Sequence, residues 1–489
     1  MSGQMTDSVV PGRPEPGSQT RDALFIGGRW RHAEGGGQIA VHDSATEEEL
    51  GRVPSGTVAD VDEAVAAARS ALTGWSATPP AKRARHLLAL REQISARAGQ
   101  MAALIAAEVG TPLRISIAVQ VGNPLTVLAQ AAELLADYPF EERVGNSVVL
   151  HEPVGVVAAI TPWNFPLHQT MAKAAAALAA GCTVVHKPSG LAPLNAFLLA
   201  EAVEEAGLPA GVYNLVTGPG TVLGEALASH QGVDMVSFTG STAAGTRVYE
   251  LAARAVKRVA LELGGKSASV LLEDADLGTA VKVSVNNAFL NSGQTCNAWT
   301  RLLVPSAKLG DVLDLAVAAT QRLTLGDPFD EQTRLGPLVS AGQVETVRGY
   351  VADGLREGAV AAIGGPELPD GFERGYYFRP TVLTDVTPAM RVAREEIFGP
   401  VLVVIPYGSE VAALEIANDT DYGLAGAVWS SDPERAQHFA RSMRAGQVDI
   451  NGGRFNPLAP FGGFKKSGVG RELGKYGLEE FLEPKSLQL

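Results

Sequence analysis

Cysteine is nearly absent from this chain: among 489 residues there are two, Cys182 and Cys296. Disulfide-stapled folds need many more, and structural zinc sites need Cys or His ligands paired at short spacing. Neither CxxC nor HExxH occurs. The expectation is a reducing, cytoplasmic setting and no metal. Positive charge is also scarce, with 40 Lys and Arg against 53 Asp and Glu and a net charge of −13. An acidic chain gains nothing from counterion release on DNA or RNA, so nucleic acid is an unfavoured partner. The longest basic run, Lys82-Arg83-Ala84-Arg85-His86, reads as the solvated face of a helix. No uncharged apolar stretch reaches the ~18 residues of a membrane span, and the start lacks the basic-then-apolar order of a signal peptide. Repeats are missing, and so is GxGxxG, the ordinary dinucleotide fingerprint.

What the chain does have is alternation, and it is too long for a single core. Strand-like runs at Val154–Ile160, Cys182–His186, Val212–Val216, Met235–Phe238 and Val259–Leu263 are separated by helical runs at Leu167–Ala180, Leu194–Ala206, Gly220–Ser229 and Ser241–Ala253. Strands and helices taken in turn imply parallel pairing with right-handed crossovers, and so a doubly wound sheet. A second α/β alternation follows Gly264-Gly265: strands at Ala268–Leu272, Leu302–Val304 and Val401–Ile405, helices at Leu277–Leu290, Ser340–Gly354 and Glu410–Asn418. Val61–Asp137 reads as mostly helical, and Arg143–Leu150 and the stretch after Gly470 as extra strands. Residues 1–20, rich in Gly, Pro, Ser and Gln without apolar periodicity, read as a flexible tail.

Several residues stand where chemistry needs them. Cys296 follows a predicted helix and sits among small polar residues (Asn291 to Thr295), whereas Cys182 lies in an apolar run. A reactive thiol needs a lowered pKa or a nearby base; alone, Cys296 also reads as a small filler. Glu262 ends an apolar strand just before two glycines, where burial costs unless the carboxylate has a task or a partner. Desolvation there would raise its pKa toward that of a general base. Asn164, in Thr161-Pro162-Trp163-Asn164-Phe165-Pro166, offers an amide donor for an oxyanion or a cap for the next helix. Phe238-Thr239-Gly240-Ser241 runs from a strand into a helix N-terminus, whose free N–H groups suit a phosphate but equally fit a plain serine cap. Lys187 ends a strand, as a cofactor ligand or a solvated lysine.

Singly these signals are weak. Their order is not: PWNFP (162–166), KPS (187–189), FTGS (238–241), ELGGK (262–266), GQTC (293–296), EEIFGP (395–400) and PFGGFKKSG (460–468) resemble the aldehyde dehydrogenase superfamily from about Phe25 onward. The resemblance implies an α/β protein with a doubly wound Rossmann-like cofactor domain (21–136 and 151–263, with 451–469 returning to it), a second α/β catalytic domain (264–450) and a small β oligomerisation segment (137–150 and 470–489). It implies NAD(P)-dependent, CoA-independent, non-phosphorylating oxidation of an aldehyde to the acid. Cys296 would form a thiohemiacetal held by the Asn164 side chain and its own backbone N–H, and hydride transfer would leave a thioester. Glu262 would activate water, and Lys173 and Glu472 would lead the proton out. The cofactor would meet Ile160, Thr161, Pro162, Trp163, Lys187, Ser189, Gly190, Gly220, Phe238, Thr239, Gly240, Ser241, Leu263, Gly264, Glu396 and Phe398. The aldehyde would meet Phe165, Gln169, Ala172, Thr295, Asn297, Phe455 and Phe461, a partly aromatic mouth suited to aliphatic or aromatic aldehydes. Arg454 leaves a semialdehyde carboxylate as an alternative.

One departure concerns the cofactor. Many relatives carry Glu after KPS, and this chain has Gly190. NAD is the expected cofactor, but without that carboxylate NADP is not repelled. The family implies a homodimer or homotetramer. Two other classes stay open: a cysteine hydrolase, which would need an oriented His, and a non-catalytic NAD-binding protein, which would be expected to lose Cys296 or Glu262.

Overall fold

The computed structural model describes residues 11–489. Its largest sheet has eight strands, in the order Gly468–Val469, Arg258–Glu262, Met235–Thr239, Val156–Ile160, Thr183–Lys187, Tyr213–Leu215, Leu24–Ile26, Arg29–Arg31. The five strands from Arg258–Glu262 to Tyr213–Leu215 run parallel. Val156–Ile160, Thr183–Lys187 and Met235–Thr239 are buried end to end, as strands covered on both faces must be. The helices Pro166–Ala180, Leu194–Glu205, Gly220–Ser229 and Thr242–Ala253 supply the crossovers. Gly181, left-handed at φ 101°, stops the first of them.

Strand order sets where a site can form. The chain enters at Val156–Ile160, steps outward through Thr183–Lys187 and Tyr213–Leu215, then returns to the other side with Met235–Thr239. Such a reversal opens a crevice beyond the carboxyl ends of the central strands. A second, seven-stranded sheet (Val360–Ile363, Thr381–Thr384, Val401–Tyr407, Arg301–Pro305, Ala268–Leu271, Ala425–Trp429, Gln447–Ile450) is parallel except at the Val360–Ile363 edge. A third sheet pairs Leu482–Gln488, Ser147–Pro153 and Glu141–Val144 antiparallel.

Two sequence expectations need correction. Of the expected tail, residues 1–10 lie outside the described residues. Residues 11–20 are tied down: the Gly17 and Gln19 N–H groups donate to Glu49 and Leu50 carbonyls at 2.9 and 3.0 Å, and Arg13 bridges Asp43 and Asp327. Backbone bonds and one guanidinium hold this segment, so apolar periodicity could not reveal it. The helical region is also longer and less regular than expected. The run Leu113–Asp137 is long and apolar enough by composition to cross a membrane, yet it packs on Pro80–Ala96 and Pro166–Ala180 as a core element. It contains a π-helical turn, Ser116–Val121.

The helix Leu194–Glu205 follows Pro193 and has no capping side chain of its own. Its first N–H, on Leu194, donates to Oε1 of the fully buried Glu108 at 2.9 Å. Burial pushes the Glu108 carboxyl up to about 8. A raised folded-state pKa means that the stability this group contributes is complete below its unfolded pKa and lost as pH climbs through the folded value. Glu108→Gln keeps an acceptor for Leu194 without a titrating proton. Calorimetry of both proteins should give equal melting temperatures near pH 4.5, with the variant ahead by a few degrees near pH 8.5.

Candidate active site

The crevice is lined by the segments that follow the central strands. After Val156–Ile160 come Thr161 to Phe165, anchored by the Thr161 N–H on the Lys187 carbonyl at 3.1 Å and by Thr161 Oγ1 against His186 Nε2 at 2.9 Å. Asn164 does not cap the following helix, since the cap position is Phe165. The Asn164 amide instead donates to the Gln294 carbonyl at 3.1 Å, and the Asn164 carbonyl accepts from Gln120 Nε2 at 2.8 Å and Asn291 Nδ2 at 3.0 Å. Asn164 is thereby fixed two residues from Cys296.

Cys296 itself is half-buried. The segment before it is unusual: Asn291, Ser292 and Gly293 are consecutive left-handed residues at φ 53°, 57° and 73°. A side chain on Gly293 would overlap the Gly399 carbonyl. Gln294 anchors the turn, accepting from the Val339 N–H at 2.9 Å and donating to the Asn291 carbonyl at 3.1 Å. Burial, then the charges of Glu262 and Glu396, push the Cys296 thiol up.

Glu262 lies near enough for its charge to act on that thiol. A Cβ on Gly265 would lie 2.6 Å from the Cys296 carbonyl, and one on Gly462 2.5 Å from Glu262 Oε1. Backbone therefore packs where side chains cannot. Glu262 is 4% exposed, and neither carboxylate oxygen has a hydrogen-bond partner among the described residues. Burial and the neighbouring Glu472 carboxylate hold its pKa well above the usual range. Lys173, also buried, donates to Thr239 Oγ1 at 2.6 Å and pairs with Glu472. Glu472 is bridged to Phe461 through reciprocal backbone bonds of 2.8 and 2.7 Å.

Opposite lies a cradle with unused donors and acceptors. Lys187 is 3% exposed, and its ammonium donates to the Pro188 carbonyl at 2.9 Å. Burial lowers it to about 8. Gly220, which opens a helix, leaves open space 3.8 Å from that ammonium. Ser241 caps Thr242–Ala253 through the Ala244 N–H, and the other free N–H groups of that helix start face the loop from Thr239 and Gly240. Glu396, raised to about 7 chiefly by burial, accepts from the Gly265 N–H at 3.0 Å. A Cβ on Gly264 would overlap its other oxygen. Leu263 is held by its N–H on the Ser467 carbonyl at 2.9 Å. Phe398, left-handed at φ 58°, meets Trp163 edge-on at 5.3 Å. A buried ammonium and a half-buried carboxylate with spare hydrogen-bonding capacity, flanking a helix N-terminus and two glycine surfaces, fit the two riboses and the pyrophosphate of a dinucleotide. Ser189 and Gly190 lie half-buried just past Lys187, and nothing stands within 4 Å of a Cβ on Gly190.

The substrate-side residues are more dispersed. Phe165, Gln169 and Ala172 are buried on one face of Pro166–Ala180, and Thr295 Oγ1 donates to the Leu290 carbonyl at 3.1 Å. Asn297 is half-buried beside Cys296. Phe455, 40% exposed, meets Phe461 edge-on at 6.3 Å, so this pair forms an outer rim. Ala172 lines an apolar cavity with Val127, Ala131, Leu134, Ala176 and Leu473. Arg454 is exposed. Sequence reasoning missed Thr111, Gln120 and Asn291, which hold Asn164. It also missed a role for Ser467, whose hydroxyl donates to the Gly264 carbonyl at 2.7 Å. Ser467 lay inside a quoted motif, whereas Gln120 offered only a lone amide in an apolar helical stretch.

Comparison with known proteins agrees with this geometry. The model of the aldehyde dehydrogenase family matches residues 30–487. A 3-succinoylsemialdehyde-pyridine dehydrogenase of a Pseudomonas species is 48% identical over 95% of this chain and 98% of its own length. Aldehyde dehydrogenase C of Pseudomonas syringae, solved as a mutant with NAD+ and octanal, superposes with a TM-score of 0.96 at 47% identity, covering 97% of this chain and 98% of that one. A Mycobacterium tuberculosis aldehyde dehydrogenase solved with NAD+ gives 0.94 at 42% identity, covering 96% and 98%. The chain belongs to the aldehyde dehydrogenase family and is an NAD(P)-dependent enzyme that oxidises an aldehyde to its carboxylic acid.

Proposed function

We propose that Cys296 is the nucleophile, Asn164 the oxyanion donor and Glu262 the base of this oxidation. The observation that carries the reading is the Asn164 amide bonded to the Gln294 carbonyl, two residues before Cys296, with the unpartnered carboxylate of Glu262 nearby. The Cys296 thiol releases its proton to water, the thiolate sulfur adds to the aldehyde carbon, and the developing alkoxide accepts from the second N–H of the Asn164 amide and the Cys296 backbone N–H. Bound NAD(P)+ supplies the hydride acceptor that turns the thiohemiacetal into a thioester. Lys187 and Glu396 would hold its ribose hydroxyls, and the Ser241 helix start would hold its phosphates. Glu262 then accepts a proton from the water that attacks the thioester, and the Lys173–Glu472 pair offers that proton a route outward.

The aldehyde is an apolar aliphatic or aryl-bearing one. Ala172 and the alanine-lined cavity beside it support this, as does the octanal complex of the Pseudomonas syringae relative, whereas the name of the 3-succinoylsemialdehyde-pyridine dehydrogenase supports the semialdehyde alternative. The exposure of Arg454 speaks against a dedicated carboxylate pocket. NAD is the main cofactor and NADP a usable second, because Gly190 brings no charge to the adenosine end. The division into cofactor domain (21–136, 151–263, 451–469), catalytic domain (264–450) and oligomerisation segment (137–150, 470–489) accounts for the three main sheets. Homodimer or homotetramer assembly through the small third sheet is supported by its exposed Val144, Leu487 and Leu489. A cytoplasmic location fits two unpaired cysteines.

Three outcomes test this. Cys296→Ala should abolish aldehyde-dependent cofactor reduction, read by absorbance, while NAD binding by calorimetry persists. Glu262→Gln should still give a stoichiometric burst of reduced cofactor followed by slow turnover, whereas wild-type steady-state turnover in the variant would remove Glu262 from the hydrolytic step and loss of the burst would place it before hydride transfer. In the wild type, kcat should rise with pH along a limb above the ordinary carboxylate range, because Glu262 works only when ionised. Glu472→Gln removes a repelling charge and should move that limb to lower pH. For the cofactor, NADP should support turnover, and Gly190→Glu should lower kcat/KM for NADP by about tenfold more than for NAD, in line with ~1.4 kcal/mol of repulsion.

A further inference from the structure

Asn164 is held by residues to which the reaction above gives no role. Its backbone carbonyl accepts from Gln120 Nε2 at 2.8 Å and from Asn291 Nδ2 at 3.0 Å. Gln120 Nε2 also donates to Thr111 Oγ1 at 3.1 Å, and that hydroxyl donates to Asn291 Oδ1 at 2.5 Å. Asn291 Nδ2 further approaches the Gln294 carbonyl, at 3.4 Å, which is the acceptor of the Asn164 amide. The five residues form one hydrogen-bonded circuit, and Thr111, Gln120, Asn164, Asn291 and Gln294 are all at most 3% exposed.

Each end of the circuit rests on irregular backbone. Gln120 lies in the π-helical turn Ser116–Val121, and turns of this kind recur at functional sites. Asn291 begins the left-handed stretch that leads to Cys296. Such conformations cost energy and persist only where their surroundings hold them. Both oxyanion donors depend on this circuit: the Asn164 amide directly, and the Cys296 N–H through the chain from Gln294.

We propose that Gln120, with Thr111, is a positioning residue that fixes Asn164 and the Cys296 loop relative to each other, so that the oxyanion site is formed before substrate arrives. The proposal rests on the reading of Asn164 as oxyanion donor. Gln120 touches no reacting atom; it acts through the Asn164 peptide. One of the two polar atoms of its amide, Oε1, is buried with no partner among the described residues, so the side chain is committed through its donor end alone.

The test is a double-mutant cycle on the full-length enzyme, with kcat, both KM values and the melting temperature measured for Gln120→Met, Gln120→Glu, Thr111→Val and Asn164→Ala. Removing an oxyanion donor costs about 10²–10³ in kcat, so Asn164→Ala should fall that far. If it does not, the underlying reading fails. Gln120→Met should lower kcat by roughly tenfold with KM for NAD within about twofold, since misplacement alone forfeits part of the donor's effect. Gln120→Glu, isosteric but a donor only while its buried carboxyl keeps its proton, should match Gln120→Met at high pH and recover toward wild type as pH falls, and Thr111→Val should fall in the same direction as Gln120→Met. In the Asn164→Ala background, each change should cost less than about twofold more. A full additional loss in that background, or a wild-type kcat in Gln120→Met while Asn164→Ala is crippled, overturns the proposal. If Gln120→Met does not fold, Gln120→Glu and Thr111→Val decide on the same criteria.

Discussion

Everything at the centre of this molecule depends on how closely the chain after Glu262 passes its neighbours. Gly264 lies against the Glu396 carboxylate and Gly265 against the Cys296 carbonyl, with no room at either for a side chain. These two glycines join the two large sheets: the strand Arg258–Glu262 belongs to one and Ala268–Leu271 to the other. One short crossing thus brings Glu262, the Cys296 loop and the Glu396 carboxylate close to one another. A methyl group at 265 would meet the Cys296 carbonyl and displace the loop that carries it, whereas one at 264 would displace the end of the Glu396 side chain.

The same closeness creates an electrostatic problem. Glu262, Glu396, Lys173, Lys187 and Glu472 are buried or nearly so, in a site whose burial alone disfavours every charge. The structure handles them differently. Lys173 and Glu472 neutralise each other. Glu396 keeps one backbone donor. Lys187 keeps one carbonyl, and Glu262 has none among the described residues. Buried polar groups in native proteins are almost always satisfied, so this gradient carries information. The groups left most exposed to the cost are the ones whose work needs a spare lone pair or proton. The large apolar cores of both sheets support that cost, as sites that break local rules require.

Legibility in the sequence followed the range of the interaction. Five strands of the first sheet were readable almost residue by residue, as apolar runs between helices stopped by Gly181 and Gly207, whereas its short outer strands Leu24–Ile26, Arg29–Arg31 and Gly468–Val469 were not. The second sheet was half readable. Ala425–Trp429 and Gln447–Ile450 are short, one containing glycine and the other polar residues, and their strand character comes from neighbours far along the chain. Cys296, Glu262 and Asn164 emerged only through the order of seven motifs, since each residue alone suited a structural role as well. The segment 11–20 was misread because backbone hydrogen bonds leave no trace in side-chain periodicity.

Gln120 shows where such reading ends. Its helical surroundings were legible, but a regular helix over 113–137 would give position 120 no special standing. The extra residue of the π-helical turn changes the angular phase of everything after Ser116, and it places Gln120 inside at 0% exposure while Ala118 is exposed and Val119 half-buried. No local preference encodes that shift. It is stabilised by what Gln120 meets on the far side of the core, the peptide of Asn164 and the hydroxyl of Thr111. A helix irregularity and a polar circuit explain each other here: without the turn Gln120 would not face Asn164, and without Asn164 and Thr111 its buried amide would have no reason to stay.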